Sequence, residues 1–410
     1  MNNINNKSGI NRVIWIVLDS VGIGEAPDSK DFGDKGVDTL GHTWKDNGGL
    51  KIPNLLKLGL GNIDGANLKR LEDKEIIGAY GKLQEKSAGK DTTIGHWEMA
   101  GIYSPNPFPT FPNGFSDEIN NRIIKKANLP GILCNEPASG TEVINRLGDE
   151  HVKTGKPIVY TSADSVYQIA AHEEVISVDR LYEICRIARK ELQGDLAVAR
   201  VIARPFIGTS GNYTRTSNRH DFSLSPTKDN ILNRLRDDLG LDVLAVGKIE
   251  DIFAKEGISK AVHTKDNMDG VDKTLEFMRE DNQGIIFTNL VEFDSAWGHR
   301  RDAKAYGKGL EDFDNRLNEI FEAMREDDML VITADHGCDP TYTGTDHTRE
   351  YVPVLFYGKH IKENVNLHTG TSYADIAQTI AEIFNARETM IGKSRLGEIL
   401  TQSEYKLRLS

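Results

Sequence analysis

Residues 333–350 read Thr-Ala-Asp-His-Gly-Cys-Asp-Pro-Thr-Tyr-Thr-Gly-Thr-Asp-His-Thr-Arg-Glu, which puts Asp335, His336 and His347 in one short span directly after the apolar run 329–332. An adjacent carboxylate and imidazole offer a metal ion one oxygen and one nitrogen donor. The design occurs twice more. The apolar run 12–18 ends in Asp19, and the run 284–293 ends in Asp294 with His299 shortly after. Three carboxylates and three imidazoles are too many for one tetrahedral zinc and suit two adjacent divalent ions. Carboxylates favour Mg²⁺ or Mn²⁺ and imidazole favours Zn²⁺, so the donors leave the ion open. A two-ion site suits phosphoryl transfer, where the ions orient the nucleophile and neutralise charge on the phosphoryl oxygens.

Such a site needs a nucleophile. Gly89-Lys90-Asp91-Thr92-Thr93 supplies hydroxyls in what reads as a polar loop running to Glu98. A threonine hydroxyl is a weak nucleophile unless deprotonated, and metal coordination is one way to achieve that. Groups that grip an anion stand elsewhere: Arg200, Arg204, Arg215 and Arg219 fall in the stretch 200–220, which has no acid, inside an acidic chain. On a strand Arg200 and Arg204 share a face, and guanidinium binds phosphate through paired donors. Asp164 could accept sugar hydroxyls, and Lys248 closes another apolar run with positive charge.

These groups must be carried by a frame. Buried strands read as continuous apolar runs, and open α/β sheets bind ligands where their strands end. Runs at 241–246, 285–291, 330–333 and 352–357 continue the series, separated by helical patterns at 268–281 and 307–326. That alternation predicts an α/β fold with a largely parallel sheet. The proline-rich stretch 101–114 predicts a stiff linker and 209–229 an irregular one. Between them lies a self-contained α/β pattern, with strands at 157–160 and 196–202 and a helix at 178–192 whose apolar stripe includes Cys185. Asp19 precedes this segment while Asp294 and Asp335 follow it. One shared site therefore requires a discontinuous core, 1–107 with 221–410, and an inserted cap, 108–220.

At 410 residues, 38% hydrophobic and 27% charged, the composition is that of a globular protein of two domains. The net charge of -12 argues against nucleic acid and anionic membrane as partners. No apolar run approaches the roughly 18 residues of a membrane helix. Residues 1–7 read as a polar tail rather than a signal peptide. Three cysteines, Cys134, Cys185 and Cys338, lack CxxC spacing, which suits a reducing cytoplasm.

Taken in order, several stretches carry a resemblance: Leu-Asp-Ser-Val-Gly-Ile-Gly-Glu-Ala-Pro-Asp at 18–28, Gly-Lys-Asp-Thr-Thr at 89–93, Gly-His-Trp-Glu at 95–98, Tyr-Thr-Ser-Ala-Asp-Ser-Val at 160–166, Gly-His-Arg-Arg-Asp at 298–302 and Thr-Asp-His-Thr-Arg-Glu at 345–350. From Val13 to about Gly397 the chain resembles the alkaline phosphatase superfamily and, within it, the phosphopentomutase family. The resemblance implies an alkaline-phosphatase-like core with an inserted smaller α/β cap. It implies that Thr92 carries the phosphoryl group. One Mn²⁺ would be held by Asp19, Asp335 and His336 and the other by Asp294, His299 and His347, with Mg²⁺ or Zn²⁺ as alternatives. Substrate contacts of the family fall here on Ser162, Asp164, Arg200, Ile202, Arg215 and Lys248. The implied reaction interconverts the 1- and 5-phosphates of ribose and 2-deoxyribose in nucleoside salvage, with glucose 1,6-bisphosphate or ribose 1,5-bisphosphate as activator. Another phosphomutase of the superfamily, or a phosphomonoesterase, is the alternative. The chain departs from the family's more frequent Asn after Asp-His-Gly, having Cys338 there.

Overall fold

A computed structural model describes residues 8–162 and 164–401, so the segment 1–7, read above as a polar tail, lies outside the described residues. The chain folds as two compact units. The larger draws on Met1–Asn106 and Pro226–Ser410, and the smaller is the continuous stretch Pro107–Ser225.

The larger unit is built on an eight-stranded sheet in the order Lys260–Val262, Asp242–Val246, Gly284–Leu290, Arg12–Leu18, Asp328–Thr333, Val352–Tyr357, Ala79–Leu83, Val365–Gly370. Its first five strands are mutually parallel; Val352–Tyr357 runs antiparallel to both neighbours. Arg12–Leu18 and Gly284–Leu290 are buried along their whole length, as strands covered on both faces must be. Trp15 stacks on Phe287 with ring centroids 4.1 Å apart. The charge at the start of the central strand is matched: Arg12 grips Asp328 through two bonds of 2.8 and 2.7 Å and donates its third guanidinium nitrogen to the carbonyl of Met278. Breaking such a buried pair from one side costs about 3–5 kcal/mol. This ion pair therefore pins the register that brings Asp19 and Asp335 to the same end of the sheet.

Helices Asn267–Arg279 and Ala303–Ala323 follow the amphipathic patterns within a few residues. The segment read as a polar loop is instead a helix, Thr92–Met99. Asp91 caps it, its Oδ1 accepting from the amides of Thr93 and Ile94 at 3.0 and 3.1 Å. Residues Ile94 to Met99 are all buried. From Ile94 onward the helix therefore has no solvent-exposed face, and the periodicity that reveals surface helices is absent from it. Gly95 lets it press against the sheet end, since a Cβ there would lie 2.2 Å from the carbonyl oxygen of Asp335.

The smaller unit has its own sheet, ordered Leu133–Pro137, Ile158–Thr161, Val166–His172, Arg200–Ile207, Thr214–Arg215, with His220–Ser223 also pairing to Arg200–Ile207. The strand expected at 196–202 thus begins at Arg200 and runs through Pro205, and the stretch expected to be irregular contains two short strands. Pairing of His220–Ser223 carries this unit past residue 220. Helix Val178–Glu191 buries Leu181, Ile184, Cys185 and Ala188 against Tyr167, Ile169 and Val201. Among the described residues no helix is long and apolar enough to cross a membrane.

Candidate functional site

Three parallel strands of the larger unit end side by side, and each hands an aspartate to the same place. Asp19 follows Arg12–Leu18, Asp294 stands just beyond Gly284–Leu290, and Asp335 just beyond Asp328–Thr333. Asp19 and Asp335 are fully buried and Asp294 nearly so. Each has one oxygen without a hydrogen bond among the described residues: Asp19 Oδ1, Asp294 Oδ1 and Asp335 Oδ2. The other oxygen of Asp19 accepts from Asn289 at 2.7 Å, and that of Asp335 from the amide of Ser20 at 2.9 Å.

Three imidazoles face these oxygens, and all use the same orientation. Nδ1 of His336 meets the carbonyl of Gly337 at 2.9 Å, that of His299 the carbonyl of Thr345 at 2.6 Å, and that of His347 the carbonyl of Lys90 at 2.9 Å. A carbonyl only accepts, so Nδ1 holds a proton in each ring and Nε2 is the nitrogen turned toward the carboxylates, free to serve as an electron-pair donor once a cation displaces any proton on it. His336 Nε2 lies 3.4 Å from Asp19 Oδ1 and 3.3 Å from Asp335 Oδ2. His347 Nε2 lies 3.2 Å from Asp294 Oδ1 and 3.1 Å from His299 Nε2, and His299 Nε2 lies 3.4 Å from Asp294 Oδ2. Three buried carboxylates crowded together favour a cation between them and the ring nitrogens. The donor set therefore fits divalent ions. Asp19, Asp335 and His336 form one group and Asp294, His336 and His347 another; Asp294, His299 and Cys338 also converge.

The electrostatics describe the same demand for positive charge. Burial, with the neighbouring Asp335 charge, raises the Asp19 carboxyl. Burial also pushes Asp294 up, but His347 and His299 outweigh it and hold that carboxyl well below its usual range. For His336, burial opposes the charged ring, yet Asp335 and Asp19 outweigh it and raise its pKa well above the ordinary value.

Thr92 is the first residue of the capped helix, with Oγ1 3.0 Å from His336 Nε2. Two residues that the sequence did not single out hold it in place. His96, four residues along the same helix face, directs Nδ1 to the Thr92 carbonyl at 2.8 Å and stands 3.2 Å from Asp335 Oδ2. The i, i+4 spacing from Thr92 was the available signal. Arg349 grips Glu85 at 2.5 Å, Asp28 at 2.9 Å and the Gly89 carbonyl at 2.5 Å, fixing the turn before Thr92. Its partners lie hundreds of residues away, so spacing could not reveal them.

In the smaller unit Ser162, Asp164, Arg200, Ile202 and Arg215 line one open basin of about 340 Å³, together with Arg204, Arg219 and Tyr160. Asp221 pairs with Arg219 at 2.7 Å and Arg200 at 3.4 Å, and Arg204 meets Gln168 at 3.0 Å. The basin thus keeps unneutralised positive charge. Lys248 is not part of it: this exposed residue precedes the short helix Ile249–Ile252 of the larger unit.

Comparison with known proteins fixes the class first. Residues 11–388 match the model of the metalloenzyme superfamily, and the chain belongs to it. Curated relatives include the phosphopentomutase of Clostridium novyi (strain NT), 61% identical over 95% of this chain and 100% of the relative. Those of Alkaliphilus oremlandii (strain OhILAs) and Clostridioides difficile (strain 630) are each 56% identical over 95% of this chain and 100% of the relative. The chain is a member of the phosphopentomutase family of enzymes. Among solved structures, a phosphoglycerate mutase of Leishmania mexicana aligns with 12% identity over 94% of this chain and 97% of the other, with a TM-score of 0.44.

Proposed function

We propose that the chain interconverts the 1- and 5-phosphates of ribose and 2-deoxyribose, with Thr92 carrying the phosphoryl group between them. The observation that supports this most directly is the convergence, beside the Thr92 hydroxyl, of three Nε2 atoms and three carboxylate oxygens that have no hydrogen bond among the described residues. Asp19, Asp335 and His336 would hold one Mn²⁺, and Asp294, His299 and His347 the other. Bound there, the ions supply charge neutralisation for the phosphoryl oxygens and for the attacking and leaving oxygens.

The chain's own groups do the rest. Asp91 and His96 hold the first turn of the Thr92 helix, and with it the hydroxyl. The helix N-terminus adds its partial positive charge where the phosphoryl group is held. From phosphorylated Thr92 the group passes to a free sugar hydroxyl: the new O–P bond forms on the sugar, the Oγ1–P bond breaks, and the hydroxyl proton ends on Thr92. The resulting bisphosphate returns its other phosphoryl group to Thr92 by the reverse exchange. Recognition of the phosphate that stays on the sugar is assigned to the arginines of the basin, and glucose 1,6-bisphosphate or ribose 1,5-bisphosphate primes Thr92.

Intact mass measurement with and without glucose 1,6-bisphosphate in Mn²⁺ buffer tests the reading. The expected result is a gain of one phosphoryl group that peptide mapping places on Thr92. Absence of any adduct from protein holding two ions would replace the mutase by a hydrolase.

A further inference from the structure

The sulfur at position 338 has no role in the reaction as described, yet it lies within the metal centre. One donor atom each from Asp294, His299 and Cys338 falls within 4.8 Å of the others. Resting on the reading of Asp294 and His299 as metal ligands, we propose that Cys338 supplies a sulfur ligand to the ion they hold, so that this half of the centre, besides accepting Mn²⁺, binds thiophilic divalent cations such as Zn²⁺, Co²⁺ or Cd²⁺ more tightly than the other half does.

The packing aims the thiol at that position. Cys338 is fully buried, and its Sγ lies 3.8 Å from both Arg301 Nη1 and the Asp346 carbonyl. These are weak contacts that leave the sulfur lone pairs available. Gly298, between Asp294 and His299 in sequence, provides the room: a Cβ there would lie 3.0 Å from the sulfur. Independently, Asp294 is only 7% exposed and its Oδ1 has no hydrogen bond among the described residues, so this carboxylate still lacks a partner for its charge. Asp294, His299 and Cys338 thus offer one ion an oxygen, a nitrogen and a sulfur donor. On binding, the thiol releases its proton to solvent, and the Arg301 guanidinium offsets the charge of the thiolate.

The consequence is asymmetry. Asp19, Asp335 and His336 offer two oxygens and a nitrogen, whereas Asp294, His299 and Cys338 offer an oxygen, a nitrogen and a sulfur, and sulfur shifts preference from Mn²⁺ toward softer ions. The test is titration of the chelator-stripped full-length protein with Co²⁺, followed by absorbance. A sulfur-to-cobalt charge-transfer band in the near ultraviolet is expected, saturating at one ion per chain. It should vanish in both Cys338→Ser and Cys338→Asn and persist in Cys134→Ser. In Cys338→Asn the preference for Cd²⁺ over Mn²⁺ should fall by about 10-fold or more. Two bound Co²⁺ without the band would overturn the sulfur ligand and leave the two-ion reading standing. Failure to bind Co²⁺ at all would overturn both. Loss of the band in Cys134→Ser would assign the sulfur elsewhere and overturn the proposal. If a Cys338 variant fails to fold, a band that persists in both Cys134→Ser and Cys185→Ser still assigns the sulfur to Cys338.

Discussion

In the larger unit, Asp19 and Asp335 are wholly buried and His336 only 1% exposed, and every ring is fixed by a backbone carbonyl. Around the basin of the smaller unit, Arg200 and Arg219 keep 36% and 42% of their side chains exposed and share one carboxylate, Asp221. The first region concentrates negative charge where water is excluded, which is tolerable only if cations enter. The second spreads positive charge over an open concavity, where long, solvated side chains can adjust to an arriving anion. Rigidity belongs to the chemistry and adaptability to recognition. The same chain supplies both without a net positive charge.

Substitutions can sharpen that contrast. The largest effect is expected from Thr92→Ala, which should lower turnover about a thousand-fold or more while metal content and thermal unfolding stay unchanged. Its hydroxyl makes only the 3.0 Å contact to His336 Nε2. Retained turnover would remove Thr92 from the mechanism. Next, Asp335→Asn should reduce the ions bound per chain from two to one by elemental analysis, since the amide keeps the shape but not the charge. A stoichiometry that stays at two would break the assignment of that donor set. In the basin, Arg215→Ala should raise KM for the sugar phosphate by about 10-fold, the worth of one charged hydrogen bond, with metal content untouched. A fall in metal content instead would mean that the two regions are not separate devices.

A smaller, pH-dependent effect lies away from both. Burial pushes the Asp314 carboxyl up to about 6, against amide donors from Leu55 and Asn54 that favour its charged form. An unfolded aspartate titrates near about 3.9, so between those values the folded chain keeps a proton that the unfolded chain has lost. Stability contributed by this group is therefore full below the window and declines as pH rises through it. Melting temperatures of wild type and Asp314→Asn, compared from pH 4 to 7, should show the wild type losing ground relative to the variant as pH rises.

What the sequence revealed follows from the reach of each signal. Strands buried on both faces must be apolar throughout, so 12–18, 284–290 and 328–333 announced themselves, and the acids at their ends with them. The arginines were visible through strand periodicity, although the strand itself begins four residues later than expected. The Thr92 helix stayed hidden because burial on all sides erases its stripe, and His96 was therefore read as a loop residue. Lys248 was named a substrate contact on resemblance alone, and the strand it follows, Asp242–Val246, belongs to the sheet of the larger unit. Arg349 shows the limit most plainly: its value lies in meeting Asp28 and Glu85, and no local pattern encodes a long-range encounter.

The central strand Arg12–Leu18 is made before the smaller unit, yet both its neighbours, Gly284–Leu290 and Asp328–Thr333, are made after it. During translation the whole of Pro107–Ser225 emerges before either neighbour exists, so the smaller unit can complete its own sheet while the seven apolar-run residues of the first strand wait unpaired. Pairing across such separations is slow, and a chain stalled before Thr333 would display a sticky edge to chaperones and proteases. Quality control by the cell would therefore act on the metal-binding half of the molecule and spare the other.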